Sequence, residues 1–197
     1  YFNSLSIYDH NLEILNFYKK INLVPFGEFL PFENILKKFG LSVITNNYQS
    51  FSSGDQRNII NINQGNFSLK ILPLICYEII YTGKLFDKLD FDLIVNISED
   101  GWFGQTIGPK QHFAHSIFRA IESGKYVLRS SNNGIAAIIN PLGYSEKLVN
   151  FGKSGYVDFK EIREIQPTIF YKYGNKIFGL LILLYIFLIF SFIKIKK

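Results

Sequence analysis

Methionine is absent from all 197 residues, position 1 included, so the sequence is expected to lack an upstream segment of its primary translation product. Cysteine occurs once, as Cys76, which excludes an internal disulfide and leaves packing or reactivity as the uses of that thiol. No Walker or dinucleotide-binding glycine pattern occurs, and Ser98, Ser116 and Ser130 lack the Gly-x-Ser-x-Gly setting of a nucleophile elbow. A basic stripe interleaved with aromatics is missing as well. The net charge of +5 comes from scattered lysines, which argues against nucleic acid and makes a membrane surface the better anionic neighbour. There is no internal repeat. What the chain does have is 48% hydrophobic and 17% aromatic residues, enough for a substantial core.

The sharpest compositional break lies near the C-terminus, where 177–193 carries no charge. At ~1.5 Å rise per residue this run spans roughly 25 Å as a helix, near the short end of what crosses a bilayer. The expectation is one C-terminal transmembrane helix, with Lys176 and Lys194 reaching to the two interfaces. The division that follows is a catalytic or binding domain over 1–175 and a helix with a short basic tail over 176–197. The tail Lys194, Lys196 and Lys197 fits a cytoplasmic end, opposed by Lys160, Arg163, Lys172 and Lys176.

Along the rest of the chain, strands and helices alternate. A strand, a turn at 9–11 and a second strand through 12–17 open it. The stretch 20–28 leaves regular structure at Pro25 and Gly27. Apolar residues at 32, 35, 36 and 39 have helical spacing, and Gly40 is a stop signal. A short strand is expected near 59–62, then buried strands at 67–75 and 91–97 followed by loops at Cys76 and at 98–104. Pro109 suits the first turn of a helix to about Ser123 with Phe113, Ile117, Ala120 and Ile121 on its apolar face, and Gly124 ends it. The segments 126–130 and 135–139 read as a hairpin about Asn132, Asn133 and Gly134. The sum is an α/β fold with some antiparallel pairing in its second half.

Acyl chemistry on a thiol needs a nucleophile, a base and a donor or cation facing the developing oxyanion. Cys76 closes an apolar run and precedes Tyr77 and Glu78, while Lys20 and Glu28 flank the Pro25 loop. Each also has a plain alternative: free cysteine is commonly buried, and lysine and glutamate are commonly solvated. His112 and His115 have a spacing that suits metal ligation, but no third ligand is evident, so packing or hydrogen bonding is the reading and no metal is expected.

The run 20–31, Lys-Ile-Asn-Leu-Val-Pro-Phe-Gly-Glu-Phe-Leu-Pro, and the run 75–78, Ile-Cys-Tyr-Glu, resemble the apolipoprotein N-acyltransferases, membrane members of the nitrilase (carbon-nitrogen hydrolase) superfamily. The likeness continues through Asn-Ile-Ser-Glu-Asp-Gly-Trp-Phe-Gly at 96–104, Gln-His at 111–112, Arg-Ala-Ile-Glu at 119–122 and Asn-Gly-Ile at 133–135. It implies a nitrilase-like αββα sandwich, incomplete at its N-terminus, facing the periplasm from the bacterial inner membrane and followed by the transmembrane helix. It implies that Cys76 is the nucleophile, that Lys20 stabilises the oxyanion, that Glu28 and Glu78 are further active-site carboxylates, and that Tyr77 and Trp102 line the substrate pocket. The implied partners are a phospholipid acyl donor, a diacylated lipoprotein acceptor and the membrane, with no cofactor. Two departures stand out. Nothing here corresponds to the family's Trp-Pro-Glu segment, whose glutamate is the general base, or to its N-terminal membrane helices, so the chain alone is expected not to turn over and an upstream portion encoded separately is an expected partner. Glu99 replaces an asparagine more usual in the family. Two other readings share these residues, a membrane-tethered amidase and a non-catalytic remnant that binds lipid or a partner.

Overall fold

The computed structural model describes residues 1–39, 50–65, 67–83, 85 and 90–195; the stop signal at Gly40 lies outside them. The chain opens with β1 (Ser4–Tyr8) and β2 (Ile14–Lys19), an antiparallel pair in which Leu5 faces Tyr18. After the 20–31 loop comes a short helix, α1 (Glu33–Lys38). Then follow β3 (Ile60–Gln64), β4 (Phe67–Ile75), β5 (Leu93–Glu99), helix α2 (Gly108–Ser123), β6 (Tyr126–Asn132), β7 (Ala136–Ile139) and β8 (Ser145–Val149). Single 3-10 turns, Cys76–Ile80 and Asp100–Phe103, leave the C-terminal ends of β4 and β5. Helices α3 (Ile169–Tyr173) and α4 (Lys176–Ile195) end the described chain.

Among the described residues the main sheet has six strands in the order β3-β4-β5-β6-β7-β8. The centre, β4-β5-β6, is parallel, and the flanking pairs are antiparallel. Parallel strands demand cover on both faces, and alternation along β4 supplies it. Leu72 and Leu74 point to one side, where they pack with Ile94, Val127, Ile139 and Ala120 of α2. Ile71 and Ile75 point to the other, against Leu5 and Tyr18 of the β1-β2 pair. Helix, main sheet and two-stranded sheet therefore stack in that order. This is the expected α/β class, and the hairpin about Asn133 is present as β6-β7, with Val127 opposite Ile139. Strand β8 and helix α3 have no counterpart in the sequence reading.

Helix α2 starts one residue before Pro109 and ends at Gly124, whose φ of +69° is left-handed. A side chain there would also collide with the Ile165 carbonyl, so glycine is required twice over. Ala120 is fully buried as its spacing implies, whereas Ile121 is partly exposed. More unexpectedly, α2 buries a polar stripe beside its apolar one: His112, Ser116, Arg119 and Ser123.

The apolar run at 177–193 is helical as expected, within α4. The transmembrane expectation needs correction, because among the described residues no helix is long and apolar enough to cross a membrane. The uncharged run amounts to roughly 26 Å at ~1.5 Å per residue, against a hydrocarbon core of roughly 30 Å. What the chain presents is an apolar helix without cover: every residue from 178 to 190 is exposed, and Phe178, Leu183, Phe187 and Phe190 each by about two thirds.

Leu74 is fully buried between strands and helix. Leu74→Ala is expected to lower stability by about 2–5 kcal/mol, read as a reduced urea midpoint at unchanged slope. Leu148→Ala, at a side chain 45% exposed, is expected to stay within about 0.5 kcal/mol.

Candidate active site

The C-terminal ends of parallel strands are where α/β sheets place ligand groups, and here Ile75 lies in register with Ile97, and Ser98 with Ser131. That register brings the Cys76 turn, the 98–104 turn and the Asn133 turn to one edge. Cys76 begins its 3-10 turn with φ +49°, a left-handed backbone for a residue with a side chain. Such a conformation costs about 1–3 kcal/mol and persists only where the surroundings impose it. The thiol is half-buried.

Lys20 directly follows β2 and is fully buried, so its charge requires a partner. Glu28 provides one through both oxygens, 2.8 and 2.7 Å from Lys20 Nζ. The loop between them closes on the same carboxylate, since the Val24 amide donates to Glu28 Oε2 and the Asn3 side chain to Oε1. Burial pushes the Glu28 pKa up, but Lys20, Val24 and Asn3 together outweigh it and hold the carboxyl below its ordinary value.

Glu78 is also fully buried, and it accepts from five donors. Oε1 takes the Tyr18 hydroxyl at 2.7 Å, the amides of Ile21 and Asn22, and Arg57 at 3.0 Å. Oε2 takes the Ile75 amide at 2.9 Å. This carboxylate therefore ties the Lys20 loop to the turn that carries Cys76. Burial raises the Tyr18 pKa, and the adjoining Glu78 charge raises it further.

On the other side of Cys76 lies a second polar cluster. Asp100, fully buried, accepts from Ser98 at 2.8 Å and Arg129 at 2.7 Å, and its Oδ1 lies 2.7 Å from His112 Nδ1. His112 Nε2 lies 3.2 Å from the Cys76 carbonyl oxygen. Arg129 also donates to Asn96 and to the Ile135 carbonyl. Burial works against the Asp100 charge, but His112, Arg129 and Ser98 outweigh it and hold the carboxyl well below the usual carboxylate range. Burial lowers the Arg129 pKa, opposed by Asp100 and by Cys76, which places the guanidinium within electrostatic reach of the thiol. Gly134 lies so close that a Cβ would run into the Asp100 carboxylate.

The structure thus pairs Lys20 with Glu28 and, through Glu78, ties the loop after Lys20 to the turn that carries Cys76. Tyr77 packs edge-on against Tyr81, at 5.4 Å between ring centroids. Both line a cleft of about 470 Å³ with Leu23, Pro25, Phe29 and Ser53. Trp102 does not join them, being 76% exposed on its turn. Glu99 accepts from the Gly101 amide and from Asn132, capping that turn. Of the two histidines, His112 enters the Asp100 cluster and His115 makes an edge contact with Phe118. Among the described residues no three His, Cys, Asp or Glu side chains gather as metal donors. The sequence reading missed Tyr18, Arg57, Asp100 and Arg129. A signal existed for Arg129, a charge inside an alternating strand whose neighbours Val127 and Ile138 are core residues.

Residues 1–159 match the carbon-nitrogen hydrolase family, and the chain belongs to it. An apolipoprotein N-acyltransferase of Bradyrhizobium diazoefficiens is 37% identical over 175 residues, covering 88% of this chain and 32% of that protein. One of Agrobacterium fabrum is 39% identical over 159 residues, covering 80% and 30%. The chain spans about a third of the length of these curated relatives. An amidase of the nitrilase superfamily from Nesterenkonia AN1 is 16% identical at a TM-score of 0.47, over 75% of this chain and 51% of that one.

Because folding lowers the Asp100 pKa, its contribution to stability is complete above the ordinary carboxylate value of ~3.9 and is lost as pH falls through the lower folded value. Asp100→Asn leaves the Arg129 charge buried without its counter-ion and is expected to cost about 3–5 kcal/mol at pH 7. Urea denaturation from pH 7 to pH 2 checks both: the variant starts lower and shows the shallower acid decline.

Proposed function

We propose that this chain carries the nucleophile-bearing part of an apolipoprotein N-acyltransferase, with Cys76 as nucleophile and Lys20 as the cation for the oxyanion. The observation that carries the reading is the buried Lys20–Glu28 pair held, through Glu78, against the turn of a strained Cys76. The names of the relatives supply the acceptor class and the acyl group, and the resemblance supplies the phospholipid donor. In the first half-reaction Cys76 Sγ attacks the carbonyl carbon of a phospholipid acyl ester, and its proton passes to a base. The tetrahedral oxyanion forms, the ester C–O bond breaks, and a lysophospholipid leaves as an acyl thioester remains on Sγ. In the second, the free amino group of an S-diacylglyceryl cysteine at a lipoprotein N-terminus attacks the thioester carbonyl. The C–N bond forms, the C–S bond breaks, and the thiol is restored. Ping-pong kinetics follow.

The other roles divide by geometry. Glu28 aims Lys20 through both of its oxygens. Glu78, with donors on both oxygens, positions rather than takes a proton. Tyr77 and the cleft beside it receive an acyl chain, and Trp102 contacts substrate from its exposed turn. Residues 1–175 form the catalytic unit and 176–197 the membrane-seeking end. No cofactor is needed, since every step is a nucleophilic displacement at an acyl carbon. The uncovered apolar surface of α4 supports seating in the bilayer, at the bacterial inner membrane with the catalytic unit on the periplasmic side. A dry, lipid-adjacent site also spares the thioester from water.

The test is a single-turnover incubation with labelled phospholipid and a diacylated lipopeptide, using the chain as it stands and the chain extended upstream by a relative's base-bearing segment. A hydroxylamine-sensitive label on Cys76 is expected in both, about 10²- to 10⁴-fold faster in the extended form, and absent in Cys76→Ala. Lys20→Ala is expected to slow acylation by about 10²- to 10³-fold. Hydrolysis of small amides without transfer would replace this reading by an amidase. No thioester in either form would leave a lipid- or partner-binding role.

A further inference from the structure

The left-handed backbone of Cys76 is fastened at both ends. On its N-terminal side the Ile75 amide donates to Glu78. On its C-terminal side the carbonyl oxygen of Cys76 itself faces His112 Nε2 at 3.2 Å. His112 is 4% exposed, and its other nitrogen faces the Asp100 carboxylate at 2.7 Å. Asp100 is in turn fixed by Arg129 and Ser98, and Phe103 packs edge-on against the His112 ring at 5.6 Å between centroids. The imidazole consequently has little freedom. Four separate elements build the cluster behind that ring: β5 with Ser98, its following turn with Asp100, α2 with His112 and β6 with Arg129.

We propose that His112 is a positioning residue whose Nε2–H, aimed by Asp100, holds the Cys76 carbonyl and thereby keeps the thiol in its left-handed, presented conformation. The peptide unit is planar, so fixing the carbonyl of Cys76 also fixes the Tyr77 N–H that points the opposite way. Releasing the carbonyl lets that peptide plane rotate and the backbone of Cys76 relax to negative φ, which redirects the Cβ–Sγ bond. The inference rests on the reading of Cys76 as the nucleophile, but its physical content is the conformation of the thiol and is measured separately.

Because Cys76 is the only cysteine, its alkylation by iodoacetamide reports on that residue alone, in the full chain and without any lipid. His112→Phe keeps an aromatic ring but donates nothing, and is expected to slow alkylation by about tenfold, the fold-change of one hydrogen bond. His112→Gln, whose side-chain amide restores a donor, is expected to stay within about threefold of the parent chain. Thermal unfolding is followed for each variant, with His112→Ala replacing the phenylalanine variant where that one does not fold. Equal alkylation rates in the parent and the donor-less variant overturn the proposal, whatever the unfolding temperatures do. A glutamine variant as slow as the phenylalanine one overturns it too, because then the ring's bulk and not its N–H matters. Acylation by labelled phospholipid forms a separate arm: if the parent chain forms no thioester while the alkylation pattern holds, the acyl-transfer reading fails and the positioning role stands.

Discussion

The structure depends on one buried carboxylate. Glu78 has no contact with water and gathers a tyrosine hydroxyl, an arginine and three backbone amides, drawn from β2, the loop after it, the 50–59 segment and the end of β4. A buried anion is tolerable only when its lone pairs are filled, and filling them here requires five groups far apart in sequence to occupy fixed places. The same requirement fixes the spacing between the loop that carries Lys20 and the turn that carries Cys76. Removing the charge would free the polar partners as well as the anion, which is why a buried network of this kind specifies position more than it adds stability.

Around that anchor the site is built from paired opposites. Lys20 is matched by Glu28, Arg57 by Glu78 and Arg129 by Asp100. A cation already matched by a carboxylate leaves no large net charge to repel or trap an uncharged ester carbonyl. It still offers N–H groups to an oxygen that gains charge during reaction, which is the differential that accelerates a chemical step.

Much of this was readable in the sequence, for identifiable reasons. Strands β4 and β5 announce themselves as apolar runs because both faces of the parallel centre are covered, and α2 shows its Pro109 start and Gly124 stop. Lys20, Glu28, Cys76 and Glu78 were legible through motifs and not through periodicity, since the partners of Glu78 lie up to 60 positions away in the chain. Tyr18 and Arg57 carry no local mark: each looks like an ordinary surface residue until a long-range contact to Glu78 draws it in. The stripe of His112, Ser116, Arg119 and Ser123 misleads for a related reason. Its polarity reads as a solvent face, yet His112 meets the Asp100 carboxylate and Arg119 the Ile80 and Tyr81 carbonyls, so the stripe is buried with polar partners. Ile121 errs in the opposite direction, apolar by type and left partly outside.

The uncovered helix α4 has a consequence for encounter. For the acyl transfer proposed above, donor and acceptor would both be confined to a surface, and a catalyst free in solution would have to find that surface before finding either. On that reading, an apolar helix seated at the surface would confine the search to two dimensions and set an effective concentration of both lipids that owes nothing to the affinity of the cleft itself. The binding groups around Cys76 could then remain few, their geometry serving the reacting carbonyl instead of capture.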